Sequence, residues 1–125
     1  MNTTRRIAVV GALSALAATL FTGTASAKLE KVCTAAFCNS TDGSKLYVNQ
    51  VIALRQDPIK TKYGYFQVFG RGWNRPPTAS GTTAAEVIHV GQQVVKGELV
   101  CLSFFAFESG KWKQVGPPAC TTAPY

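Results

Sequence analysis

The residues best equipped for recognition chemistry are Arg71, Trp73, Asn74 and Arg75, in Gly70-Arg71-Gly72-Trp73-Asn74-Arg75-Pro76-Pro77. An indole between two guanidiniums joins a large apolar face to planar donors, a combination enriched at binding hot spots. Residues 70–83 form a connection that is long for a compact domain. Pro76-Pro77 stiffens its second half toward polyproline II. The stretch reads as an exposed recognition loop for a protein or a glycan. In the alternative reading, Trp73 folds back over the domain edge and the arginines only solvate it.

Catalytic chemistry has less to work with. His89 is the single histidine. In an extended segment it alternates with Val87, while Glu86 and Ile88 point the other way. No serine sits in a G-x-S-x-G elbow, and no P-loop or G-x-G-x-x-G motif occurs. Six carboxylates could hold a glycosidase pair, but no motif frames one. Cys33 and Cys38 have ligand-like spacing, yet eighteen residues lie between Cys101 and Cys120 and no histidine pair completes a zinc set. The expectation is a non-enzymatic chain with no metal and no cofactor.

The cysteines take their meaning from the compartment. Arg5 and Arg6 precede an apolar run over residues 7–21, and Ala25-Ser26-Ala27 follows as a small-x-small cleavage site. This is the pattern of a secretory signal peptide spanning residues 1–27. The apolar run falls short of the roughly 20 residues that cross a bilayer. Residues 28–125 are then one secreted domain with no membrane span. Four cysteines in such a chain imply two disulfides. A two-residue turn at Gly110-Lys111 sets Cys101 opposite Cys120, with Pro117-Pro118 forcing a bulge nearby. Of the three possible connectivities this favours Cys101–Cys120, with Cys33–Cys38 as a clamp on an N-terminal loop; sequence alone leaves the other two open. Asn39-Ser40-Thr41 forms a glycosylation sequon, meaningful only in a eukaryotic pathway.

Residues 28–125 hold eleven Lys and Arg against six Asp and Glu, so 11 − 6 gives a net +5. That charge favours an anionic cell-wall polymer, a glycan or an acidic extracellular protein as partner. The basic residues are scattered rather than clustered, which argues against nucleic acid.

These side chains need a frame, and the pattern behind them is β. Residues 46–54 alternate, with Leu46, Val48, Ile52 and Leu54 on one face. Residues 63–69 are aromatic-rich. Residues 84–90 form a third strand that Gly91 ends, 93–95 a short fourth, and 112–115 the last. Residues 99–107 are apolar at almost every position, as in a central strand covered on both faces; alternatively one face stays open as an apolar cleft or dimer interface. Residues 28–44 are polar and turn-rich. No segment of 28–125 keeps a helical period. The fold class expected is all-β, a small antiparallel β-sandwich, the alternative being a small β-barrel.

Tyr63-Gly64-Tyr65-Phe66-Gln67-Val68-Phe69-Gly70 with the loop after it, and the segment from Cys101 to Cys120 with Trp112 and Gly116 between, resemble a loose group of small secreted actinobacterial proteins. The resemblance implies a β-sandwich and transfers no activity. The expected function is a secreted binding or cell-surface-associated protein. The alternatives are an inhibitor of an extracellular hydrolase and a small secreted enzyme.

Overall fold

The computed structural model describes residues 28–125; the expected signal peptide over 1–27 lies outside the described residues. Nine strands follow in order: β1 (Lys28–Cys33), β2 (Phe37–Ser44), β3 (Tyr47–Arg55), β4 (Gly64–Gly70), β5 (Trp73–Asn74), β6 (Ala85–Gln93), β7 (Leu99–Glu108), β8 (Lys111–Gln114) and β9 (Ala119–Thr122). They form two antiparallel sheets, one ordered β1-β2-β3-β6 and the other β5-β4-β7-β8. β9 shares the second side of β7 with β8, end to end. The two sheets stay separate, so the architecture is a sandwich and not a barrel.

The core between the sheets follows from strand alternation. Phe66 and Val68 of β4 and Val100, Leu102, Phe104 and Ala106 of β7 point inward from one sheet. Phe37, Val48, Val51 and Ala53 meet them from the other. Phe66 touches Phe37 edge-on at 5.7 Å and Phe104 at 4.9 Å between ring centroids. Each such fully buried large side chain contributes roughly 1.5–3 kcal/mol.

Both disulfides pair as expected, Cys33 with Cys38 and Cys101 with Cys120. The register reaching the second differs from the expected one. The β7–β8 turn is Ser109-Gly110, one residue earlier, because both take positive φ, 52° and 75°. Phe107 therefore faces Trp112 rather than Gln114. Cys101 still faces Cys120, since the chain between β8 and β9 absorbs two extra residues in the Pro117-Pro118 region.

Residues 28–44 correct the polar-loop reading. They form a hairpin, and Cys33 and Cys38 are directly opposed across it. β2 lies inside its sheet because its polar side chains find partners. The buried Asn39 Nδ2 donates to the carbonyls of Val100 at 3.0 Å and Ala119 at 2.8 Å. Thr41 Oγ1 donates to Asn39 Oδ1 at 2.7 Å. With its one hydrogen spent there, Thr41 accepts from Thr121, which in turn accepts from the Tyr125 hydroxyl, at 2.7 and 2.8 Å. Burial pushes the Tyr125 phenol above its ordinary value. The sequon asparagine is thus a core strut.

β3 also departs from simple alternation. Asn49 has no partner in β2, and past this bulge Val51, Ala53 and Arg55 take the inward positions instead of Ile52 and Leu54. In β6, Gly91 at φ 55° sits within the strand and does not end it.

Arg55, carried inward by that shift, is 5% exposed. Its guanidinium donates to the carbonyls of Lys62, Gly64 and Gly81, and stacks 4.7 Å from the Phe104 ring centroid. These bonds fasten the β3–β4 turn and the segment approaching β6. Desolvation lowers the pKa of Arg55, while the charge of Glu86 opposes that shift.

Candidate functional site

Residues 70–83 do not stand away from the domain. Arg71-Gly72 makes a two-residue turn with Gly72 at φ 77°, and the chain then runs back along β4. Arg75 N donates to Val68 O at 2.9 Å and Thr78 N to Phe66 O at 2.9 Å. Gly64 and Gly81 exchange backbone bonds at 2.9 and 3.0 Å. The long connection is an edge strand interrupted by Pro76-Pro77, which cannot donate to a ladder.

The four candidate residues separate along this edge. Arg71 is exposed at the turn. The Trp73 ring is half-buried against Gly70, whose missing Cβ would lie 2.3 Å from Trp73 Cε2. Trp73 Nε1 donates to Glu98 Oε2 at 2.7 Å. Arg75 sits 5.1 Å from the indole ring, and its Nε and Nη2 donate to Val90 O and Gln92 Oε1, each at 2.8 Å. It ties the edge of one sheet to the edge of the other. Asn74 opposes Phe69 across the ladder and, with the edge of Trp73, opens onto a groove.

That groove lies on the outer face of the β5-β4-β7-β8 sheet. The outward positions are Tyr63 just before β4, Tyr65, Gln67 and Phe69 along it, Leu99, Cys101, Ser103, Phe105 and Phe107 along β7, and Trp112 and Gln114 on β8. On this outer face Cys101 and Ser103 are buried while Leu99 and Phe107 are exposed, so β7 is covered on both faces at its middle and open at its two ends. At one end five rings meet. Tyr65 stacks on Phe105 at 5.1 Å, and Trp112 sits edge-on to Tyr65 at 4.9 Å and to Phe107 at 5.1 Å. Tyr63 joins Trp112 at 6.2 Å. Tyr63, Phe107 and Trp112 remain 53%, 47% and 44% exposed.

Beside the rings is a cavity of about 660 Å³, lined by Gln67, Asn74, Ser103, Phe105, Gln114 and the edge of Trp73 among others. Gln67 Nε2 donates to Arg75 O at 3.4 Å and Gln114 Nε2 to Gly116 O at 3.2 Å. These bonds fix both amides and leave their Oε1 atoms free to accept. Among the described residues, none of the outward positions just named is Asp, Glu, Lys or Arg. On β7 and β8 the charges Glu108, Lys111 and Lys113 occupy the alternate positions, Glu108 pairs with Lys62, and Arg75 borders the groove where it stacks on Trp73. The Lys62 hydrogen bond, then its charge, hold the Glu108 carboxyl below the usual range.

Such a face offers flat apolar rings beside neutral donors and acceptors. It can bind a ligand that is itself flat, uncharged and dense in hydroxyls. A scan for aromatics alone would have found Tyr63, Tyr65, Phe105, Phe107 and Trp112. Their convergence depends on the β7–β8 register, which sets Trp112 opposite Phe107. His89 is exposed on β6, in the other sheet. Comparison of the chain with protein-family models, curated proteins and solved structures finds no match.

Proposed function

We propose that this chain is a secreted, non-enzymatic binding module that holds a neutral polysaccharide on the outer face of the β5-β4-β7-β8 sheet. The carrying observation is the five-ring cluster beside an uncharged belt of Gln67, Asn74, Ser103 and Gln114. Sugar rings stack their C–H faces on aromatic side chains, and amides serve their hydroxyls. Exposed rings of this extent on a small domain mark an interaction surface. The outward positions of this face carry no charged side chain, which favours a neutral polymer over an anionic one. Export is supported by the signal-peptide pattern and by two disulfides. The inhibitor alternative draws less support, since residues 70–83 are fastened along β4 instead of projecting as bait.

Affinity electrophoresis of the disulfide-bonded protein through soluble β-glucan, xylan and polygalacturonate tests the reading. At least one neutral polymer should retard it, and Trp112→Ala or Tyr65→Ala should abolish the retardation without lowering the melting temperature. Retardation by polygalacturonate alone, or equal retardation of the Trp112→Ala protein, overturns it.

A further inference from the structure

A second cleft opens where the β4–β5 turn meets the β6–β7 turn. It has a volume of about 440 Å³ and is lined by Phe69, Gly70, Arg71, Val95, Lys96, Gly97, Glu98, Leu99 and Cys101. That volume lies in the range of small-ligand sites. Phe69, Leu99 and the Cys101–Cys120 bridge supply an apolar floor, and Val95 a wall. Val95 and Leu99 stand 61% and 49% exposed beside it. Gly97, at φ 85°, has no atom within 4 Å of where a Cβ would be, so this stretch of rim carries no side chain.

The charges around the cleft are unequal. Glu98 is its one acid, and its oxygens are already taken. Oε2 accepts from Trp73 Nε1 at 2.7 Å and Oε1 from Val95 N at 3.1 Å. The indole hydrogen bond is the largest influence holding Glu98 below the usual carboxylate range, with the Val95 and Arg71 backbone amides and the Arg71 charge adding to it against an opposing desolvation. Arg71 lies beyond ion-pair distance of Glu98, and Lys96 has no hydrogen-bond or ion-pair partner among the described residues. Arg71, which acts on Glu98 through charge without an ion pair, and Lys96 thus flank an apolar floor.

We infer that this cleft binds a monomeric single-chain amphiphile with an anionic head, the chain on Phe69, Val95 and Leu99 and the head between Arg71 and Lys96. The occupant follows from charge complementarity: an apolar body suits the floor, and an anion can pair with Lys96 and Arg71 without displacing Glu98 from Trp73 and Val95. The inference stands apart from the glycan reading, because the two sites share Phe69 and Gly70 and little else.

Decanoate, below its micelle concentration, is the probe, with decanol as the uncharged control and an amide chemical-shift titration as the readout. Decanoate should shift the amides of Arg71, Val95, Lys96, Gly97 and Leu99 saturably, and decanol should bind about tenfold more weakly or worse. Replacing Arg71 and Lys96 together by Gln should weaken decanoate by about tenfold at unchanged melting temperature. Leu99→Gln should weaken both probes. Trp112→Ala should leave decanoate binding intact, whatever it does to polysaccharide. Equal affinity for decanoate and decanol, shifts confined to the Tyr65 and Trp112 amides, or binding to phosphatidylglycerol vesicles without binding to monomeric decanoate would each overturn the inference.

Discussion

Trp73 and Glu98 are joined by a 2.7 Å hydrogen bond from indole Nε1 to carboxylate Oε2, which links the β4–β5 hairpin to the β6–β7 turn. A tryptophan placed this way packs against the core and braces the fold. Trp73→Ala should therefore destabilise the fold by about 3 kcal/mol, and Trp73→Phe, which keeps most of the ring, by about 1 kcal/mol. Urea unfolding of the two variants measures both.

The same bond makes stability depend on acid. Because the folded protein holds the Glu98 pKa below its ordinary 4.5, its contribution is fully present above that value. It is lost as pH falls from 4.5 through the lower folded value. Urea midpoints of the native protein should fall faster in this acid range than those of Glu98→Gln. Parallel curves would dissociate Glu98 from the acid limb.

Arg55 should resist even conservative replacement. Its planar fork serves four carbonyls, those of Ile59, Lys62, Gly64 and Gly81, while its plane lies on Phe104. A lysine ammonium supplies no comparable fork and no stacking plane. Arg55→Lys should cost about 3 kcal/mol, since it leaves buried acceptors unpaired. A melting temperature equal to the native one would show that the turn over residues 56–63 holds itself.

The two disulfides should differ in weight. Cys101–Cys120 closes a sequence separation of 19 and Cys33–Cys38 one of 5. Loop-closure entropy assigns the first about 3 kcal/mol and the second about 2 kcal/mol. Paired alanine variants of each bridge, compared by denaturant unfolding, should fall in that order.

How far residue patterns carried the fold can be judged at particular positions. Residues 99–107 read as a strand from their unbroken apolar run, and both disulfide pairs match the structure, although Cys101 meets Cys120 only because two extra residues near Pro117-Pro118 offset the displaced turn. β2 was hidden because Asn39 and Thr41 look like loop residues. Only the carbonyls of Val100 and Ala119, sixty and more positions away, make them suitable for a core. The inward face of β3 was misread after Val48 because a bulge at Asn49 leaves no composition signal. The candidate site was half legible. Its aromatics were visible singly, but their meeting rests on a turn displaced by one residue. In the compact Arg71-Gly72-Trp73-Asn74-Arg75 run, Trp73 and Arg75 brace the edge between the sheets.

That brace bears on crowding. A sandwich has four open rims at which a foreign strand could add, and here each carries an obstacle. Pro76-Pro77 interrupt the rim beside β4, and Arg75 occupies the Val90 carbonyl on β6. Lys111 and Lys113 guard β8, while Lys28, Glu30 and Lys31 guard β1. A chain so fenced can be concentrated at a surface, many copies side by side, without its sheets fusing into fibrils.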